Sequence, residues 1–161
     1  MWLFYVFTVI PIAFTQFINT VRLPFRPIYI SKRIQPEHVN AIHNAVNEYN
    51  KYTWLWEDEF TETTDKSTNH IRIQYDTYNG CSMSAVTASE GYFQVTETTI
   101  AFEPTLDPVM TQCVIIHELG HSLGLSHTND TMSIMQPTIQ LRNDQCTLEI
   151  NDIVHLYILQ Q

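Results

Sequence analysis

The eleven residues His117–His127, HELGHSLGLSH, decide how the rest of the chain is read. If the run is helical to about Leu123, His117 and His121 project from one face, a single turn apart. Two imidazoles so placed can bind one zinc ion, with Glu118 beside them as a general base. Gly124 can take the left-handed conformation that ends a helix. The chain can then turn sharply and deliver His127 as a third ligand. With 7 His and 4 Gly in 161 residues, the full pattern should arise by chance in roughly 1 in 50,000 such sequences. The spacing therefore predicts a three-histidine site for a single zinc ion.

A length of 161 residues predicts one domain with a substantial core. An apolar content of 44% and a charged content of 16% fit a globular chain. The net charge of −9 argues against nucleic acid, since phosphate binding needs clustered Lys and Arg. Four of the eight basic residues, Arg22, Arg26, Lys32 and Arg33, crowd near the start, so the remainder is more acidic still.

Residues 2–18, WLFYVFTVIPIAFTQFI, are uncharged and mostly apolar. Pro11 and an apolar core of about 13 residues, against about 20 for a spanning helix, favour a cleaved secretory signal over residues 1–20. The alternatives are an uncleaved membrane anchor over the same residues and a segment of the core. Ala13–Thr15 and Ile18–Thr20 are both candidate cleavage sites. A secreted domain over residues 21–161 is the expectation, without stable membrane insertion once the signal is removed. A monomer is expected.

After an extended entry reaching a sheet near Ile28–Ile30, Pro36 fits the first turn of a helix over 36–52. Val39, Ile42, Val46 and Tyr49 fall at helical spacing and should face the core. His38 and His43 read as packing or surface residues without a role. TWLWEDE (53–59) reads as a strand with Trp54 and Trp56 on one side. HIRIQYD (70–76) alternates Ile71, Ile73 and Tyr75 with polar partners, and its flanking His70 and Asp76 read as solvated strand ends. TYNG (77–80) then turns the chain. GYFQVTETTIAFEP (91–104) predicts one long bent strand or two short ones.

Asp107 and Pro108 read as a helix N-cap and first helical residue. In the helix that follows, Val109, Cys113, Ile116 and Gly120 should form the core stripe. The loop after His127 carries the sequon Asn129-Asp130-Thr131, usable only in a eukaryotic secretory route. A last helix from about Thr147 places Ile150, Ile153, Val154, Tyr157 and Ile158 on one stripe, with Glu149 and Asp152 suiting its dipole. Three cysteines in a secreted chain allow one disulfide. Cys113–Cys146 is the favoured pair, Cys81 is the other choice of partner, and all three stay free in a reducing compartment.

The motif HELGHSLGLSH followed by Ser133-Ile134-Met135 resembles the metzincin zinc endopeptidases, whose second signature is a methionine-containing turn. Eight positions from His127 to Met135 is a short spacing similar to that of the matrixins (matrix metalloproteinases). INDIVHLY (150–157) resembles the matrixin closing helix. The likeness is strong over 108–137, fair over 147–157, and architectural before that. It implies an α+β, zincin-type fold. That fold has a twisted, mostly parallel sheet with an antiparallel edge strand, two long helices, and a C-terminal helix after the methionine turn.

It also implies a zinc metalloendopeptidase acting on protein or peptide substrates. His117, His121 and His127 would be the ligands, Glu118 the base, Gly124 the turn glycine and Met135 the apolar floor. The strand around Thr98–Phe102 would take substrate by strand addition, and Pro137–Leu141 would line the pocket after the scissile bond. A non-catalytic protein-binding module on the same fold is the alternative.

The chain departs from the matrixin pattern in places. Thr128 stands where matrixins usually have Ser, and Gln136 and Ile139 replace aromatic residues. Residues 71–102 lack the His/Asp-rich and Gly-rich stretches that hold structural metals, so neither calcium nor a second zinc is expected. YNGCSMSAV (78–86) is instead similar to an astacin segment. No cysteine-switch motif precedes Arg22, so latency by that route is not expected.

Overall fold

The computed structural model describes residues 25–56, 59–66, 70–75, 83–89, 92–139 and 146–159. The apolar opening stretch, Asp76, the 77–80 turn, Cys81 and residues 140–141 lie outside them. The element order is β1 (Phe25–Ile30), α1 (Pro36–Asn50), α2 (Thr53–Trp56), β2 (Glu59–Glu62), β3 (His70–Tyr75), β4 (Met83–Ser89), β5 (Tyr92–Phe102), α3 (Pro108–Ser122) and α4 (Ile150–Leu159). Five strands form one sheet in the order β2-β1-β3-β5-β4. Every pairing is parallel except β4 with β5, which makes β4 an antiparallel edge. This is the mixed α/β architecture expected from the sequence.

Alternation builds the sheet face that the helices cover. Ile28 pairs with Ile71, and Ile73 pairs with Ile100, so their side chains line up across the strands. All four are buried, and Phe102 joins them. Helices α1 and α3 pack on each other and share this core. β5 is a single strand of eleven residues. Along Tyr92–Thr99 it is flanked by β4, and along Glu97–Phe102 by β3. Thr98 and Thr99 of the expected substrate strand pair with Ser84 and Met83, so along them the free edge beyond β5 belongs to β4.

The inward face of α1 is rotated from the predicted one. Ala41, Ile42, Ala45 and Tyr49 are buried, while Val39 and Val46 sit at the margin. Alanines at 41 and 45 allow a close helix–helix approach that valines would hold apart. His38 is buried, a packing residue. Its Nδ1 lies 2.7 Å from the Tyr75 hydroxyl and its Nε2 2.8 Å from the Leu106 carbonyl, which pins the start of α1 to β3 and to the chain ahead of α3. His70 also corrects the sequence reading, because it is buried and stacks edge-on against Tyr29.

TWLWEDE is not a strand. Residues Thr53–Trp56 form the short helix α2, Trp54 is 75% exposed, and the strand begins at Glu59. Aromatic residues carry β-propensity, yet a specific clamp sets the register here. The Asn50 side-chain amide donates to the Phe60 carbonyl at 2.9 Å and accepts from the Phe60 amide at 3.0 Å. The strand is thus fixed on Phe60, its buried residue.

Helix α4 differs most from expectation. Ile150 and Ile158 are 69% and 62% exposed, and Val154 and Tyr157 are also on the surface. Its buried positions are Asp152 and Leu156, one turn apart. A carboxylate buried on purpose has turned the apolar stripe outward, for the reason given below.

Candidate metal centre

Helix α3 begins as predicted, with Asp107 capping it through a 2.9 Å hydrogen bond from the Met110 amide to its carboxylate. Val109, expected in the core, is on the surface, whereas every residue from Cys113 to Gly120 is buried. The helix lies under α1 and over the sheet, so no solvent-facing side remains along that stretch. Cys113 is bonded to Cys146 with their Cα atoms 5.1 Å apart, which leaves Cys81 as the remaining cysteine.

The end of α3 is a Schellman turn. The Leu125 amide donates to the Gly120 carbonyl and the Gly124 amide to the His121 carbonyl, both at 3.0 Å. Gly124 has φ +98°, a conformation that a side chain at this position would strain. The turn also orients a histidine, because the Leu125 carbonyl accepts from His121 Nδ1 at 2.8 Å. The chain then doubles back to bring His127 beside the helix.

The three histidines meet at their Nε2 atoms. His117 and His121 are 3.1 Å apart, and each lies 3.2 Å from His127. His117 Nδ1 faces the Ile134 carbonyl at 2.8 Å. A carbonyl only accepts, so Nδ1 of His117 and of His121 carry the hydrogens and their Nε2 atoms present bare lone pairs. Bare lone pairs 3.1 Å apart repel unless a cation lies between them. Three nitrogens tetrahedrally placed about 2.05 Å from zinc would be roughly 3.3 Å apart, so the donor set fits that ion. Among the described residues, this is the one His/Cys/Asp/Glu group arranged to hold a metal.

Burial pushes the His117 imidazole down to about 4. The Ile134 hydrogen bond opposes that effect, and His121 and His127 add to it. His127 is also lowered, first by burial and then by His121. A folded value below the ordinary 6.5 means that the unfolded chain takes up the proton first. Metal-free protein should therefore keep this stability above about pH 6.5, lose about 3 kcal/mol as pH falls towards 4, and level off below. Urea unfolding of chelator-treated protein across that range checks the sign, and stability that rises on acidification would contradict it.

Met135 is buried and lies against Gly120, the residue before His121 in α3. A Cβ at Gly120 would fall 2.6 Å from Met135 Sδ and 2.9 Å from the Tyr49 hydroxyl. That hydroxyl donates to the Ile116 carbonyl at 2.7 Å, and its pKa is raised by burial, then by Asp152 and Glu48, so it stays a donor. Gly120→Ala must displace one of these side chains. A loss of about 1–3 kcal/mol is expected in a denaturation midpoint, together with weaker zinc retention.

The turn carrying Met135 is held by groups that periodicity did not reveal. Asp152, 2% exposed, accepts from the Ser133 hydroxyl, from the Ile134 amide at 3.2 Å and from the Glu149 amide at 3.1 Å. Ser133 Oγ in turn accepts from the Met135 amide at 2.9 Å. Asp130 forms a second hub. Its carboxylate accepts from the Met132 amide at 2.9 Å and from Asn151 Nδ2 at 2.7 Å, and its carbonyl accepts from Gln136 Nε2 at 2.9 Å. The signal for Asp152 is in the sequence: a lone carboxylate inside a mostly apolar helix, at a place where the dipole alone would also favour it.

Comparison with known proteins agrees with this architecture. The Matrixin family model matches residues 10–159. The chain belongs to the matrixin family. Metalloendoproteinase 1 of Glycine max is 30% identical over 139 residues, covering 75% of this chain and 45% of its own. Interstitial collagenase B of Mus musculus is 46% identical over 46 residues, covering 29% of this chain and 10% of its own. This matrixin therefore spans less than half the length of the curated relatives it matches.

Among solved structures, high choriolytic enzyme 1, a hatching-enzyme zinc protease of Oryzias latipes, superposes with a TM-score of 0.61 at 17% identity. That superposition covers 84% of this chain and 88% of the other. Myroilysin gives 0.61 at 15% identity, covering 85% and 83%. These two likenesses show the fold. Family membership places the chain among the matrixins, and the histidine triad is a donor set suited to one zinc ion.

Proposed function

We propose that this matrixin is a secreted endopeptidase that hydrolyses protein or peptide substrates at the His117–His121–His127 centre. The convergence of three Nε2 atoms to 3.1–3.2 Å carries this reading. Zinc held there supplies Lewis acidity and makes water a usable nucleophile near neutral pH. Glu118, buried and adjacent to His117 in α3, accepts a proton from the attacking water and returns it to the departing amine. Met135 gives the histidines an apolar floor. β4, the antiparallel edge, is the strand available for substrate addition. Pro137–Ile139 follow the methionine turn and are proposed as a wall of the pocket after the scissile bond.

Residues 1–20 are proposed as the leader that sends the domain outside. Among the described residues, no helix is long and apolar enough to cross a membrane. Cleavage of a random peptide library, lost on chelation and restored by zinc, tests the activity. The mass of the mature N-terminus separates a secreted form from a tethered one. Zinc bound at one equivalent without any cleavage would move the chain to the protein-binding reading.

A further inference from the structure

The loop between His127 and Met135 carries a motif whose Asn129 and Thr131 side chains neither the metal centre nor the core uses. Asn129-Asp130-Thr131 is the sole Asn-x-Ser/Thr sequence in the chain. Asn129 and Thr131 are both exposed, and the segment is neither helix nor strand. Backbone on both sides is fixed. The Thr128 amide donates to the Met135 carbonyl at 2.9 Å, the Asp130 amide to Thr128 Oγ1 at 3.1 Å and the Ser133 amide to the Asp130 carbonyl at 3.1 Å. Asp130 spends its carboxylate on Met132 and Asn151, as described above. Among the described residues none hydrogen-bonds the Asn129 side chain, so a group attached there costs the loop no bond.

Position gives the motif its interest. Two residues of chain span at most about 7 Å, which places Asn129 next to His127, the exposed member of the triad. We propose that Asn129 is an N-glycosylation site whose oligosaccharide stands at the rim of the metal centre and favours extended segments over folded substrates. The proposal rests on the secretory reading above, because that route supplies the donor, a polyprenyl-diphosphate-linked oligosaccharide. In the transfer, Asn129 Nδ2 forms a bond to the anomeric carbon as the bond from that carbon to the diphosphate oxygen breaks. The amide proton leaves to a base of the transferase, the lipid diphosphate departs, and nothing is oxidised or reduced. The branched sugar on a loop braced at both ends then occupies space that a bulky folded protein would need.

The test expresses the chain in a eukaryotic secretory host, once with its own first twenty residues and once behind an unrelated cleavable leader. Intact mass is read before and after peptide N-glycosidase, for the parent, Asn129→Gln, Thr131→Ala and Thr131→Ser. The parent and Thr131→Ser should carry a glycosidase-sensitive mass that the other two lack. Cleavage of a short peptide should be equal in all four, while cleavage of a folded protein should rise severalfold in Asn129→Gln and Thr131→Ala. Glycan only behind the foreign leader keeps the site and rejects the leader reading. Glycan without peptide cleavage keeps the site and rejects the endopeptidase reading. No glycan from either leader overturns the proposal, and a glycan whose loss leaves the folded-to-peptide ratio unchanged overturns its shielding role.

Discussion

Glu118→Gln should bind one equivalent of zinc as tightly as the parent and lose peptide cleavage by roughly a thousandfold, about 4 kcal/mol in the barrier. Glutamine keeps the volume and shape of the buried side chain, so helix α3 and its two histidines stay in place. It cannot take up the proton that the attacking water must release. Zinc content by mass spectrometry and kcat/KM on one peptide separate the two effects. Retained cleavage would remove Glu118 from the mechanism, while loss of zinc would recast it as a structural group.

The second large effect is expected far along the chain from the histidines. Asp152→Ala removes a buried carboxylate that holds Ser133, the Ile134 amide and the Glu149 amide. Those donors would be left buried without an acceptor, at a cost of about 3–5 kcal/mol. The Ile134 carbonyl is also the acceptor for His117 Nδ1. Loosening residue 134 therefore frees the imidazole to rotate, and zinc affinity should fall about 10- to 100-fold. A zinc competition titration on the folded variant reads this separately from the thermal midpoint. An unchanged affinity would confine Asp152 to stability.

What was legible in the sequence follows from how local each signal was. The histidine spacing, Gly124, and the Asp107–Pro108 helix start are short-range patterns, and each lies where its local chemistry predicted. The alternation of Ile71 and Ile73 was legible for the same reason. Long-range demands went unseen. Trp54 and Trp56 read as strand because the Asn50 clamp on Phe60 has no signature in neighbouring residues. The α4 stripe read inward because apolar periodicity outweighs one aspartate. The methionine turn's need for an acceptor decides the helix's rotation, and that need appears only once residues 133 and 152 are together. That β4 lies outside Thr98 and Thr99 was not legible, because nothing in β5's own residues tells which strand lies beside it.

The disulfide has a consequence for how the site recovers after it is lost. Cys113 anchors the first half of the histidine helix to Cys146, six positions ahead of Asp152. When acid or chelation lets the methionine turn come free, α4 stays on a short covalent leash and its carboxylate remains at high effective concentration near Ser133. Reclosure is then a search over a few residues, whose entropy cost grows only with the logarithm of loop length. In an oxidising medium the fold should regain its metal centre each time zinc returns. Once the bond is reduced, the same helix must find its place without that tether.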